Sequence, residues 1–228
     1  LLNSMAQPKE KFPLLAEAAF KSLQQKNVLF YFPDEEFQQA MEQMNAAGRV
    51  VNADGDYLLV VDTNLGGRKS QLYIDQQFDL QVNTQPTGTK NVLNLTYKND
   101  QADDKWLNGI SPNWLRVYVP QGSKLLTSKG SELEVKTYDE QDKTVFEAFF
   151  EVKPKGISKL TFEYETPISS KDNQYKLLVQ KQPGASNHQL KVTVNGQEVA
   201  IPERLKIVDS KDAKVGILDS DKSITVHL

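Results

Sequence analysis

Cysteine is absent from the 228 residues. That removes thiol nucleophiles, thiolate metal sites and disulfides together, and a cysteine-free chain is compatible with either redox compartment. Histidine is scarce, with two copies. No apolar run approaches the roughly 18 residues of a bilayer-spanning helix, so direct membrane insertion by this segment is not expected. No signal-peptide pattern is present, and the chain opens on Leu rather than Met, as a processed or excised product would. A dominant charge is lacking too. The 27 basic and 30 acidic side chains leave a net charge of −3, evenly spread, so no nucleic-acid partner is expected.

What remains is an average soluble composition, 39% hydrophobic and 25% charged. A chain of this length buries roughly 70–75% of the surface its unfolded form exposes and folds without a metal or disulfide staple. Residues 1–47 read as a helical segment with one short strand. Phe12, Leu15, Ala16, Ala19, Phe20 and Leu23 recur at helical spacing. Val28–Phe32 reads as a short buried strand ended by Pro33. Asp34, Glu35 and Glu36 supply an acidic first turn for a second helix carrying Phe37, Met41 and Met44, with Gly48 as its stop.

After Gly48 the hydrophobic period changes from 3.6 to 2. Leu72, Ile74, Phe78, Leu80 and Val82 alternate with polar residues, and Gln76 is the one polar break on that face. Leu93–Tyr97, Leu115–Val119, Leu133–Val135, Phe146–Val152, Leu160–Tyr164, Tyr175–Val179, Leu190–Val194 and Ile224–Leu228 repeat the pattern. Pro-Gly and Asn-Gly turn signals lie between several of them. Tyr57–Val61, apolar on both faces, reads as a central strand. The expected fold is therefore mainly β: residues 48–228 form an antiparallel β-sandwich of immunoglobulin-like architecture, preceded by the helical segment. Residues 99–112 are the longest loop candidate, and 209–223 form a second polar stretch.

Catalytic chemistry has little to stand on. His188 and His227 sit at turn and edge positions, and Ser111 lacks the second glycine of a nucleophile elbow. Asp103-Asp104, Asp54/Asp56 and Asp219/Asp221 are explained by local turn hydrogen bonding. Asn52-x-Asp54-x-Asp56 has the spacing that opens a calcium loop, but Tyr57 stands where glycine is required and no closing Glu follows. No metal site, cofactor or enzymatic activity is expected. Two groups stand out as binding candidates. Asp62, Asn64, Gly66, Gly67, Arg68 and Lys69 join two strands, either as a tight hairpin or as a backbone nest for an anion or partner. Trp106, Trp114 and Tyr118 flank the long loop and could form a carbohydrate platform, or plug a sheet edge.

The stretch Gly55–Asn64 (GDYLLVVDTN) with Gly66–Ser70 (GGRKS) resembles a segment of the bacterial family catalogued as domain of unknown function 4012. Trp114–Ser123 (WLRVYVPQGS) and Tyr175–Gly184 (YKLLVQKQPG) are similar to that family's β-rich C-terminal part. The resemblance runs from about residue 10 onward. It implies an extracytoplasmic, cell-surface location, as a fragment of a protein anchored by an N-terminal transmembrane helix, and it carries no catalytic residue. The expected function is a non-enzymatic module of a membrane-anchored bacterial cell-envelope protein, acting in binding or architecture. Its partner would be a cell-envelope polysaccharide or another surface protein. The alternative is an accessory carbohydrate-binding domain of a cell-wall or polysaccharide-processing enzyme. A Lys–Asn isopeptide crosslink is compatible with the composition and would show as a loss of ammonia from the intact mass.

Overall fold

The computed structural model describes residues 12–202 and 216–228. Residues 1–11 of the expected helical segment, and 209–215 of the polar stretch, lie outside the described residues. The chain divides into two compact units. One takes the chain up to Val51 together with Lys181–Ala185, and the other comprises Asn52–Gln180 and Ser186–Leu228.

The first unit holds helices α1 (Phe12–Gln24) and α2 (Glu35–Gln43). Asp34 caps α2, its Oδ1 accepting from the amides of Glu36 (3.0 Å) and Phe37 (3.2 Å). Gly48 is not the stop. Asn45, at φ 57°, ends α2 earlier, with Asn45 N donating to Glu42 O and Ala46 N to Met41 O. Lys26, at φ 56°, closes α1 with the same double bond pattern. The buried Lys181 ammonium then donates to Gln25 O at 3.2 Å, placing a cation at the negative end of the helix. Val28–Phe32 is not the expected buried strand. Phe30 N donates to Ala46 O at 2.9 Å, and Val28, Leu29, Phe30 and Tyr31 are exposed. Among the described residues no helix is long and apolar enough to cross a membrane.

The second unit is built from strands β1 (Asp56–Asn64), β2 (Ile74–Gln85), β3 (Gly88–Asn99), β4 (Ser111–Pro120), β5 (Lys124–Lys129), β6 (Lys136–Glu140), β7 (Lys143–Val152), β8 (Gly156–Thr166), β9 (Gln174–Gln180), β10 (His188–Val194), β11 (Gln197–Val199), β12 (Gly216–Leu218) and β13 (Lys222–His227). One sheet runs β13-β9-β1-β4-β7-β6. The other runs β11-β10-β2-β3-β8-β5, with β12 beside β10. Both sheets are mixed rather than antiparallel throughout. β1 pairs with β9 in parallel (Tyr57 opposite Leu178), and β10 pairs with β2 in parallel (Leu190 opposite Phe78). Alternation fixes which face of a strand is buried but carries no information on the direction of its neighbour, which is why the antiparallel expectation failed at these two pairings.

The inner faces of both sheets contribute to one core. Leu58 and Val60 of β1 meet Phe78, Leu80 and Val82 of β2, Leu93 and Leu95 of β3, Leu115 and Val117 of β4, Phe146 and Phe150 of β7, and Leu160 and Phe162 of β8. Each fully buried side chain of this kind contributes about 1.5–3 kcal/mol. The rings of Phe146 and Phe162 stack across the sheets at 6.4 Å. Central placement of β1, between β4 and β9, agrees with its two-sided apolar run. Leu133–Val135 precedes β6 rather than forming a strand, and exposed Leu72 belongs to a 3-10 turn (Ser70–Tyr73) ahead of β2.

Candidate functional site

On the inner face of β1 the pattern is Asp56, Leu58, Val60, Asp62, Asn64: apolar in the middle and polar at both ends. Each end of the core is accordingly closed by a polar cluster, buried at Asp56 and part-buried at Asp62. At the first, Asp56 accepts from Tyr57 N (2.8 Å) and the Tyr175 hydroxyl (2.8 Å), with Asn91 Nδ2 at 3.4 Å and Thr89 Oγ1 at 3.5 Å. Burial pushes the Asp56 carboxyl above its usual range, against the pull of these donors. At the second, Gln76 Nε2 donates to Asp62 Oδ2 at 3.0 Å, and the phenol of Tyr97 also bears on that carboxylate. Burial raises Asp62 to about 6, and the hydrogen bond from Gln76 moderates the rise. Gln76, the polar break in the β2 pattern, is thus explained: it spans the two sheets to reach Asp62.

Beyond Asp62 the chain does not make a hairpin. β1 and β2 belong to different sheets, so residues 65–73 are a crossover. Asn64 organises it. Its Oδ1 accepts from Gly66 N (2.7 Å), and its Nδ2 donates to Arg68 O (2.9 Å) and Gln71 Oε1 (2.6 Å). Gly66 could not carry a side chain, since a Cβ would lie 2.8 Å from Pro112 Cδ. Gly67 takes φ 69°, the left-handed region. Lys69 is exposed.

Arg68 is committed within the fold. Its Nη1 donates to Asp103 Oδ1 (3.1 Å) and to Asn108 O (3.0 Å), both in the 100–110 loop. Gly109 lies under the guanidinium, where a Cβ would stand 2.2 Å from Nη1. Ser70 Oγ donates to Gly109 O (3.0 Å) and accepts from Gly109 N (3.1 Å), and Leu65 N donates to Pro112 O (2.8 Å). The loop is also tied within itself. Asp103 Oδ1 accepts from Lys105 N. Asp104 Oδ1 accepts from Trp106 N and Asn108 N, which holds its carboxyl below the usual range. Asn108 Nδ2 donates to Ala102 O. These aspartates are turn formers, as local hydrogen bonding predicts.

Arg68 thus ties the 62–69 segment to the loop that carries Trp106, at the end of β1. Trp106 projects from it at 80% exposure, and Leu65, Leu72 and Ile110 of the same two segments are exposed as well. The three aromatics do not form a single platform. Trp114 packs on Phe149 (6.0 Å between rings) on the outer face of its sheet. Tyr118 is buried and donates its hydroxyl to Glu140 Oε2 at 3.1 Å. His188 is buried against the Phe78 ring. Asn52, Asp54 and Asp56 bind Lys143, Lys176 and Tyr175 respectively instead of converging. Among the described residues no three His, Asp or Glu side chains are grouped to hold a metal. Sequence reasoning passed over Lys143 and assigned Asp56 to a turn, whereas its carboxylate is buried against Tyr175, Asn91 and Thr89. The six-residue spacing of Asp56 and Asp62, which keeps both on one strand face, was the available signal for Asp56.

No protein-family model and no curated protein matches the chain. Among solved structures, a candidate nutrient binding protein of Legionella pneumophila is similar at 11% identity and a TM-score of 0.46, over 76% of this chain and 71% of that one. An M1 zinc metallopeptidase of Deinococcus radiodurans is similar at 10% identity and a TM-score of 0.28, over 67% of this chain and 38% of the peptidase. Likenesses at this level carry no functional argument.

Proposed function

We propose that the chain is a non-enzymatic, extracytoplasmic module of a membrane-anchored bacterial cell-envelope protein. In this reading it is a two-sheet sandwich related to the immunoglobulin-like architectures, and it acts by binding through the Arg68–Trp106 loop pair. The observation that supports this is the exposure of Trp106 on a loop whose backbone is fixed by Arg68, Asp103, Asp104 and Asn108. A large aromatic left in water costs solvation, and a loop already ordered gives up little entropy on binding. Tryptophan is among the residues enriched at the hot spots of binding surfaces. A polysaccharide suits the setting, because a sugar ring stacks on the indole face while Lys69, Lys105, Asp103 and Asp104 offer polar contacts around it.

The test is binding of envelope fractions and arrayed glycans to the full chain beside Trp106→Ala and Arg68→Ala. Trp106→Ala should weaken binding about tenfold or more, as expected for a hot-spot aromatic. Arg68→Ala should weaken it less, by loosening the loop. Binding that neither substitution reduces, or no binding to any envelope component, overturns the reading. The second reading, an accessory carbohydrate-binding domain of a polysaccharide-processing enzyme, rests on the same indole. It gains if glycans alone reproduce the binding and shift the tryptophan emission.

A further inference from the structure

Lys143 sits at the opposite end of β1 from the loop pair, about 26 Å away along a nine-residue strand. It opens β7 and is 4% exposed. We propose that its ammonium is the anchor of an oxyanion site, which takes a small ligand through a carboxylate or phosphate group. This inference is independent of the binding role given to Arg68 and Trp106.

The charge balance carries it. Lys143 Nζ donates to Asn52 Oδ1 at 3.0 Å and to Asp142 O at 3.3 Å, and it lies 4.9 Å from the centroid of the Tyr57 ring. All three partners are neutral. Lys222, the other buried lysine among the described residues of this unit, is 3% exposed and has Asp219 Oδ1 at 2.6 Å. A buried cation is ordinarily matched in this way by a carboxylate. The Asp142 carboxylate, exposed on the preceding turn, forms no ion pair with Lys143 and supplies only a diffuse attraction. Burial pulls the ammonium below the ordinary lysine range, the response of a cation without a counter-ion.

A space for the counter-ion adjoins it. Lys143, Asn52, Tyr57 and Gln121, with Asp142 at the side, line a cavity of about 260 Å³, and a neighbouring one of about 290 Å³ shares Gly55 and Ile168 with it. Lys171 and Lys176 line the second cavity, where Asp54 is already paired with Lys176 at 2.9 Å. Since Asn52 turns its oxygen to Lys143, its amide nitrogen is left as a second donor. The walls are fixed. Gly55, at φ 136°, admits no side chain, because a Cβ would lie 2.6 Å from Lys176 O. Gln141 and Asp142 both hold positive φ in the turn that delivers Lys143, a geometry usually left to Asn and Gly. Strain retained beside a cavity is common at binding sites.

The experiment follows backbone amide shifts of the full chain during titration with inorganic phosphate and, separately, acetate, with sodium chloride matching ionic strength. Saturable shifts at Asn52–Gly55 and Asp142–Thr144 are expected. Saturation by phosphate alone, by acetate alone or by both identifies the oxyanion, and each supports the site. Lys143→Met should raise the dissociation constant at least tenfold, and Lys143→Arg should keep it within about threefold. If Lys143→Met fails to fold, Asn52→Asp replaces it: a carboxylate beside the ammonium should abolish the titration at least tenfold. No saturable shift with either anion, or shifts unchanged in the variant that folds, overturns the proposal.

Discussion

Replacing Asp62 with Asn separates charge from shape at one end of the core. The Asp62 carboxyl holds its proton up to about pH 6 in the folded chain, whereas an unfolded aspartate releases it near pH 3.9. Between those values the folded state binds more protons than the unfolded state, so stability falls as pH rises. A gap of about two pH units is worth about 3 kcal/mol, fully felt above pH 6 and absent below pH 4. Asn can still accept from Gln76 Nε2, which donates to Asp62 Oδ2 at 3.0 Å, but it never ionises. Asp62→Asn should therefore match the parent at pH 4 and exceed it by about 3 kcal/mol at pH 7.5, or about 6–12 °C in melting temperature. Asp56, also raised by burial, titrates in both proteins and cancels in the difference. Both tryptophans lie in the sheet unit, so urea titrations between pH 4 and 8, read by tryptophan emission, follow the relevant transition. An advantage that is the same at pH 4 and 7.5, or no gain at pH 7.5, would refute the burial argument.

Two further outcomes test the packing and the loop weld. Phe162→Ala removes a fully buried ring stacked on Phe146 at 6.4 Å, and should cost about 3–5 kcal/mol, read as a lowered urea midpoint. Arg68→Lys keeps the charge but cannot reproduce the guanidinium's shared contact with Asp103 Oδ1 and Asn108 O. Amides of residues 105–109 should exchange faster with deuterium, while the melting temperature moves by only about 2–3 °C, because the ion pair is exposed. Unchanged exchange in that loop would show that Arg68 does not hold it.

Much of the architecture was written in local pattern. Period-2 alternation marks the inner faces of β2, β3, β4, β7 and β8 because every second residue of a strand meets the same side. The acidic run Asp34–Glu36 marked a helix start by its charge, and the structure sets Asp34 just outside the helix as its cap, the carboxylate reaching the free amides of Glu36 and Phe37. The aspartates at 103 and 104 were recognisable as turn formers on the same local grounds. Where a signal needed a second partner, local reading failed. Val28–Phe32 has strand composition but pairs with no strand among the described residues, and Gly48 was outcompeted as a helix stop by Asn45.

The sequence by itself determined which faces are buried, where most strands and turns fall, and that residues 64–70 form a connection stiffened by Asn and Gly. Only the tertiary structure decided that this connection crosses between sheets, that β1 lies parallel to β9, and that Arg68 closes onto Asp103 and Asn108 beside Trp106. It also decided that Lys143 is buried with neutral partners alone. The division has one physical cause. Side-chain periodicity reports a residue's orientation within its own strand, whereas pairing, ion contacts and cavities depend on segments tens of residues away, and those meet only when the core closes.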